Sequence, residues 1–228
     1  MALMAQEEES APRPAALRAP VAQSGRSLGP RALRTRERIL QATAALLDER
    51  SVLDLPVVDI ARRAGTSPAT FYHYFRDVEA AALTLAEHAS AEMPDVSSWI
   101  RASFRGSEGL ARARATVDAF LDHWDRHHAI LMLRNMAADR GDARFQQVRQ
   151  DHIGPVLAAL ASEVERGQAD GRISRELHPL AAAAALASFL ERLSAHHRDL
   201  RGLGLTRDDV RETCARMLIQ TLEGQFPA

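Results

Sequence analysis

From Thr35 onward, apolar residues recur at intervals of three and four, and period-two alternation is scarce. Residues so spaced share one face of a helix, so the pattern predicts an all-α protein. Ile39, Thr43, Leu46 and Leu47 mark a first helix over about 35–50. Leu53 and Leu55 lead into Pro56, which fits the first turn of a second helix, where a missing N–H costs nothing. That helix turns Val57, Ile60, Ala61 and Ala64 inward and stops at Gly65. Ser67 is placed to cap a third helix with Pro68 at its first position, and Phe71 and Phe75 form its buried stripe. A fourth helix over about 77–92 opens on Asp77 and Glu79, acids suited to a helix N-terminus, and ends before Pro94. One or two helices follow between Asp95 and His128, broken near Arg105–Gly109. Further helices are predicted over about 128–139, 142–169, 178–200 and 206–224, punctuated by Gly141, Asp170–Gly171, Pro179, Gly202 and Gly204. Pro155 falls inside the 142–169 segment and is expected to kink or divide it.

Residues 1–30 break this periodicity. They carry Pro12, Pro14, Pro20 and Pro30 among Ala, Ser, Gly and Arg, and cannot bury enough surface to offset their ordering entropy. A flexible arm is expected there, followed by a head over 31–78 and a helical body over 79–228. The whole chain of 228 residues is 46% hydrophobic and 26% charged, ordinary values for a globular protein. Its formal charge of −1 supplies no general attraction for nucleic acid, so any such partner rests on local charge. Arg26, Arg31, Arg34, Arg36 and Arg38 stand against Glu37 alone, which suits either a solvated tail or an arm lying on phosphate. The basic residues are all arginine. The one cysteine, Cys214, cannot make an internal disulfide, as suits a reducing compartment. The opening MALMAQEEES puts three glutamates where a secretory peptide has its apolar core. The longest apolar stretch, Pro179 to Leu190, is far short of the ~20 residues of a bilayer span. A soluble, cytoplasmic protein with no membrane partner is therefore expected.

Residues 57–75, VVDIARRAGTSPATFYHYF, place two short helices on either side of a glycine turn. This is the pattern of a helix-turn-helix, whose second helix can enter the major groove of DNA. With successive residues about 100° apart, Ala69, Thr70 and His73 point away from the Phe71–Phe75 stripe. Tyr72 and Tyr74 flank that outward face, where a phenolic hydroxyl can reach a phosphate oxygen. The bland alternative is a three-helix subdomain with an incidental polar surface.

Residues 35–90 resemble the DNA-binding head of the TetR family of bacterial transcriptional regulators. The resemblance is carried by Arg38, Ile39, Leu40, Ala42 and Ala44, then Asp59, Ile60, Ala61, Ala64 and Gly65. Ser67, Thr70, Phe71, Tyr72, Phe75 and Glu79 complete it. It implies that Ser67, Pro68, Ala69, Thr70, Tyr72, His73 and Tyr74 meet double-stranded DNA at a palindromic operator. Thr70, Tyr72 and Tyr74 would lie on phosphates, and Pro68, Ala69 and His73 at base edges. Two positions depart from the family. Val78 stands where a phosphate-binding lysine is common, and Pro56 replaces the usual hydroxyl cap of the second helix. Arg31, Arg34 and Arg36 are available to compensate.

The same resemblance implies a homodimer through the last two helices and an effector site in the body. Leu186, Phe189, Leu193, His197 and Leu200 share one face, and Val210, Cys214, Met217 and Thr221 another. These faces serve either a dimer or packing within one chain. For a small hydrophobic effector the candidates are Trp99, Phe120, Trp124, Met132, Asn135, Met136, Phe145 and Phe189, residues that equally suit an ordinary core. His123 and His127, four apart, have a spacing that can hold zinc, although no further ligand motif extends it. Phosphate loops, nucleophile elbows and cofactor-binding glycine turns are lacking, so neither enzyme activity nor a cofactor is expected. The expectation is a repressor released by an apolar effector. The alternatives are a metal-responsive regulator and a helical ligand-binding protein whose head no longer reads specific DNA.

Overall fold

A computed structural model describes residues 28–50 and 55–224. The arm expected over residues 1–30 lies, but for its last three residues, outside this range. The described residues are helical throughout, joined by turns. Helix α1, Pro30–Glu49, begins five residues earlier than expected, because Gly29 takes the cap position and Pro30 the first turn. Pro56 caps α2, Val57–Arg63, from just outside it and offers no side-chain bond. After Gly65, whose φ of +61° only glycine adopts freely, α3 runs over Pro68–Tyr74. Ser67 Oγ accepts the Thr70 N–H at 3.2 Å, the cap expected from sequence. Asp77 likewise accepts the Ala80 N–H at 2.7 Å to open α4, Val78–Ala91.

The body consists of α5 (Val96–Arg101), α6 (Gly109–Asp139), α7 (Ala143–Ala169), α8 (Pro179–His196) and α9 (Arg207–Glu223). The segments expected to part at residue 128 do so at the main chain of His127 (φ −122°, ψ 23°), where the long helix α6 is kinked. Pro155 leaves α7 undivided. Its missing N–H frees the Asp151 carbonyl, and both residues are exposed, so water can satisfy the lost bond. Helix α8 stops at His196, short of expectation, and passes into a 3₁₀ turn over Asp199–Leu203.

Two cores result. The near core joins the head to the body: Ile39, Leu40, Ile60, Phe71 and Phe75 pack with α4 and with Trp124, Leu131, Phe145 and Val148. The far core gathers Ile100, Val117, Phe120, Leu160, Leu190 and Leu218 from α5 to α9. Helix α6 passes from the far core to the near one between Leu121 and Trp124, within a turn of the break at His127. Ion pairs clamp α6 to the chain's end. Arg114 donates twice to Glu212, at 2.7 and 3.0 Å. Asp125 accepts from Arg198 and Arg207, both at 2.6 Å.

The faces expected for the dimer are partly consumed by this packing. Leu186, Val210 and Cys214 lie in the far core and His197 is buried, while Phe189, Leu193 and Leu200 pack against that core half-exposed. Outward on α8 lie Leu180, Ala181, Ala184, Ala185, Ser188 and Arg192, and outward on α9 Thr213, Arg216, Met217 and Gln220 among others. The buried members of these faces serve the chain's own interior, and the half-exposed and exposed ones stay at its surface.

Candidate nucleic-acid interface and effector site

The outward face of α3 is built from its buried one. Phe71 has no solvent contact and Phe75 almost none, and their rings meet 5.7 Å apart. This fixes the rotation of a helix of only seven residues. Pro68, Ala69 and His73 are then exposed, and Tyr72 is 51% exposed with its ring held edge-on against Phe71. Thr70 is half-buried. Its hydroxyl lies 2.9 Å from that of Ser67, so the two hydroxyls reach the surface as a bonded pair. Tyr74 packs on the near core and sets its ring edge-on to His73, 5.0 Å between centroids.

The arginines divide by role. Arg34 is exposed, and Arg31 lines a depression of about 410 Å³ with Pro30, Thr35, Thr70 and Tyr74. The start of α1 therefore lies alongside α3, and the two elements form one surface. Arg36 departs from the expected freely presented cation. Its guanidinium sits over the Phe75 ring at 5.0 Å and donates to Thr84 Oγ1 at 3.4 Å, tying α1 to α4. Burial pushes its pKa below the ordinary arginine value. A second depression, about 440 Å³, joins Arg36, Tyr74 and Arg76 to Arg144 of α7. Sequence reasoning did not associate Arg144 with the head, since nearly seventy residues separate them.

In the body, the eight effector candidates separate. Trp124, Met136 and Phe145 belong to the near core; Trp99, Phe120 and Phe189 belong to the far one. Met132 is 39% exposed, and Asn135 Oδ1 accepts from Arg134 Nε at 3.1 Å. The histidine pair is also differently engaged. His123 is fully buried and stacks on His152, while His127 Nε2 lies 3.0 Å from Glu92. Among the described residues no group of three or more His, Cys, Asp or Glu is placed to hold a metal ion.

Comparison with known proteins draws these features together. Residues 39–80 match the family model of bacterial regulatory proteins of the tetR family, and residues 97–228 that of the tetracyclin repressor-like C-terminal domain. The second match alone spans more than half of the chain. The chain belongs to the TetR family of bacterial transcriptional regulators. Solved structures agree in fold. GusR of Salmonella enterica is 19% identical with a TM-score of 0.60, covering 83% of this chain and 96% of that one. The fatty acid degradation regulator FadR of Bacillus halodurans is 16% identical with a TM-score of 0.57, covering 88% and 98%. FadR of Bacillus subtilis, solved with stearoyl-CoA, is 14% identical with a TM-score of 0.58, covering 83% and 99%.

A TetR-family regulator is not an enzyme. The departures from the family pattern have structural counterparts. Val78 is buried at the first position of α4, an apolar plug where other members carry a cation. The depression shared by Arg76 and Arg144 opens within two residues of it. The described residues contain no helix long and apolar enough to cross a membrane.

Proposed function

We propose that this TetR-family member is a repressor that binds a palindromic operator as a homodimer and leaves it when a small apolar effector enters the body. The observation that carries the reading is the α3 face: Ala69, Thr70, Tyr72 and His73 are presented outward over a phenylalanine pair that fixes their direction. Small side chains and one imidazole, flanked by tyrosine hydroxyls and the arginines of α1, suit a groove lined with phosphate. Arg31 and Arg34 are assigned to the backbone, His73 to a base edge. The arm that precedes them, with Arg26, extends the same phosphate contact. The exposed rows of α8 and α9 supply the dimer contact, which sets two α3 helices one turn of DNA apart, about 34–36 Å. For the effector, the apolar lining of both cores supports an apolar ligand, and the fold relative from Bacillus subtilis was solved with a long-chain acyl ligand.

The test is anisotropy titration of purified protein against DNA from upstream of its own gene, repeated on a randomised operator library. Specific, salt-sensitive binding is expected. His73→Ala is expected to change the preferred sequence at one position per half-site, at about 1–3 kcal/mol for a lost base contact. Binding that is equal on all sequences would leave a helical ligand-binding protein whose head does not read DNA. An unchanged preference in His73→Ala would show that another face of α3 enters the groove.

A further inference from the structure

Where α6, α7 and α8 meet, the protein encloses polar groups that operator binding does not use. Arg134 is 1% exposed, and its Nη1 has no hydrogen-bond partner among the described residues. Its Nη2 stands 3.6 Å from one oxygen of Glu191, and His152 Nε2 stands 3.7 Å from the other. Both separations are too long for a hydrogen bond. His152 stacks on His123 with ring centroids 5.1 Å apart. His123 is wholly buried and neither ring nitrogen is bonded; the adjacent Trp124 Nε1 is also buried without a partner.

An unsatisfied buried polar group costs about 1–3 kcal/mol, and native proteins keep few of them. Several in one place are more than packing explains. Donors outnumber acceptors among them. Arg134 Nη1 and Trp124 Nε1 can only donate, and the neutral His123 ring brings one N–H and one acceptor nitrogen. Glu191 Oε1, also unbonded, is the one carboxylate oxygen among them. Glu191 keeps 19% of its side chain in solvent and stops short of both cations it faces, so it occupies the approach to the donors without engaging them. A planar guanidinium is matched by a carboxylate, which accepts two parallel hydrogen bonds.

We propose that Arg134, His152 and His123 form the seat for the carboxylate of the effector, which is therefore an apolar monocarboxylate whose head group displaces Glu191 toward solvent. This rests on the reading of the protein as an effector-controlled regulator and names the ligand's class. The apolar part lies against the near core, to which Trp124, Leu131 and Phe145 belong. The seat adjoins the route to the head. His127, 5.2 Å from His123, reaches Glu92 at the C-cap of α4, the helix that follows α3.

The probe is benzoate, with benzyl alcohol as the same body lacking the charge. Binding is followed by Trp124 emission in the full-length Trp99→Phe protein, and operator affinity is measured in parallel. Benzoate is expected to bind saturably and at least tenfold more tightly than benzyl alcohol. Glu191→Gln, which removes the internal competitor, is expected to tighten benzoate severalfold. Arg134→Gln and His152→Gln are expected to weaken it at least tenfold. Should Arg134→Gln fail to fold, the Glu191→Gln result and the benzoate–alcohol comparison decide alone. Equal binding of the two probes, no binding of either, or a Glu191→Gln protein with unchanged benzoate affinity overturns the seat. Carboxylate-selective binding that leaves operator affinity unchanged supports the seat and overturns the induction reading instead.

Discussion

His123 shows how far one side chain's surroundings can shift its chemistry. Burial pushes its pKa down from 6.5 to about 3, and His152, His127, Arg134 and Arg126 push the same way. The folded chain thus refuses a proton that the unfolded chain accepts. Stability is complete above pH 6.5 and falls as pH drops toward 3, by about 1.4 kcal/mol for each unit in between. Thermal melts at pH 7.5, 6.5 and 5.5 should show this decline, and His123→Leu should show a shallower one. Equal slopes in the two proteins would mean that another group takes up the proton. Cys214 lies at the other extreme: burial raises its thiol to about 11, so it stays protonated and inert at neutral pH. The outward direction of Ala69, Tyr72 and His73 was legible in the sequence because a short helix with two phenylalanines admits only one rotation. Arg36 was not. Its neighbour Phe75 lies 39 positions away, and a cation resting on a ring looks in sequence like any other arginine. Arg134 was missed for the opposite reason. It continues the buried row of α6 at helical spacing from Trp124, Ile130 and Leu131, and a charge in that phase was itself a signal.

At the scale of elements, caps and prolines were the most readable features. Ser67–Pro68, Asp77 and Gly65 act within four residues of their own positions, and so their effects are local. The break of α6 at His127 was readable to within a residue, whereas its passage from one core to the other, which depends on partners distant in sequence, was not. The clamp between α6 and α9 is equally silent in sequence, its partners being 73 to 98 positions apart. Asp125 is its centre, accepting from Arg198 and Arg207 and lying 3.4 Å from His197 Nε2. Asp125→Ala takes the carboxylate from Arg198 and leaves Arg207 with Asp122, and should lower stability by about 1–2 kcal/mol, as charged hydrogen bonds of this kind are worth. Urea unfolding measures this. An unchanged midpoint would reduce the clamp to surface decoration. The Arg114–Glu212 pair gives an independent acid signature: hydrogen bonds from Arg114 hold the Glu212 carboxyl down to about 2, so that pair persists in moderate acid.

For the whole molecule, the decisive property in the proposed dimer is how its two heads are held apart. The outward rows of α8 and α9 include Ala184 and Met217, the latter 45% exposed. Ala184→Arg combined with Met217→Arg should yield monomers in sedimentation and abolish tight operator binding, while circular dichroism and melting of the single chain stay near the parent. A dimer that survives both arginines would place the contact on another surface. The broken helix carries a consequence of a different kind. Because α6 belongs to the far core up to Leu121 and to the near core from Trp124 on, its two parts are secured by different neighbours. Amide protons exchange with solvent when the unit holding them opens, and such units follow packing rather than helix boundaries. Amides of 109–121 should therefore exchange at one pace and those of 124–139 at another, with the step where the helix changes cores and the slower pace belonging to whichever core opens last. Deuterium uptake resolved along this one helix would reveal which end of the protein lets go first.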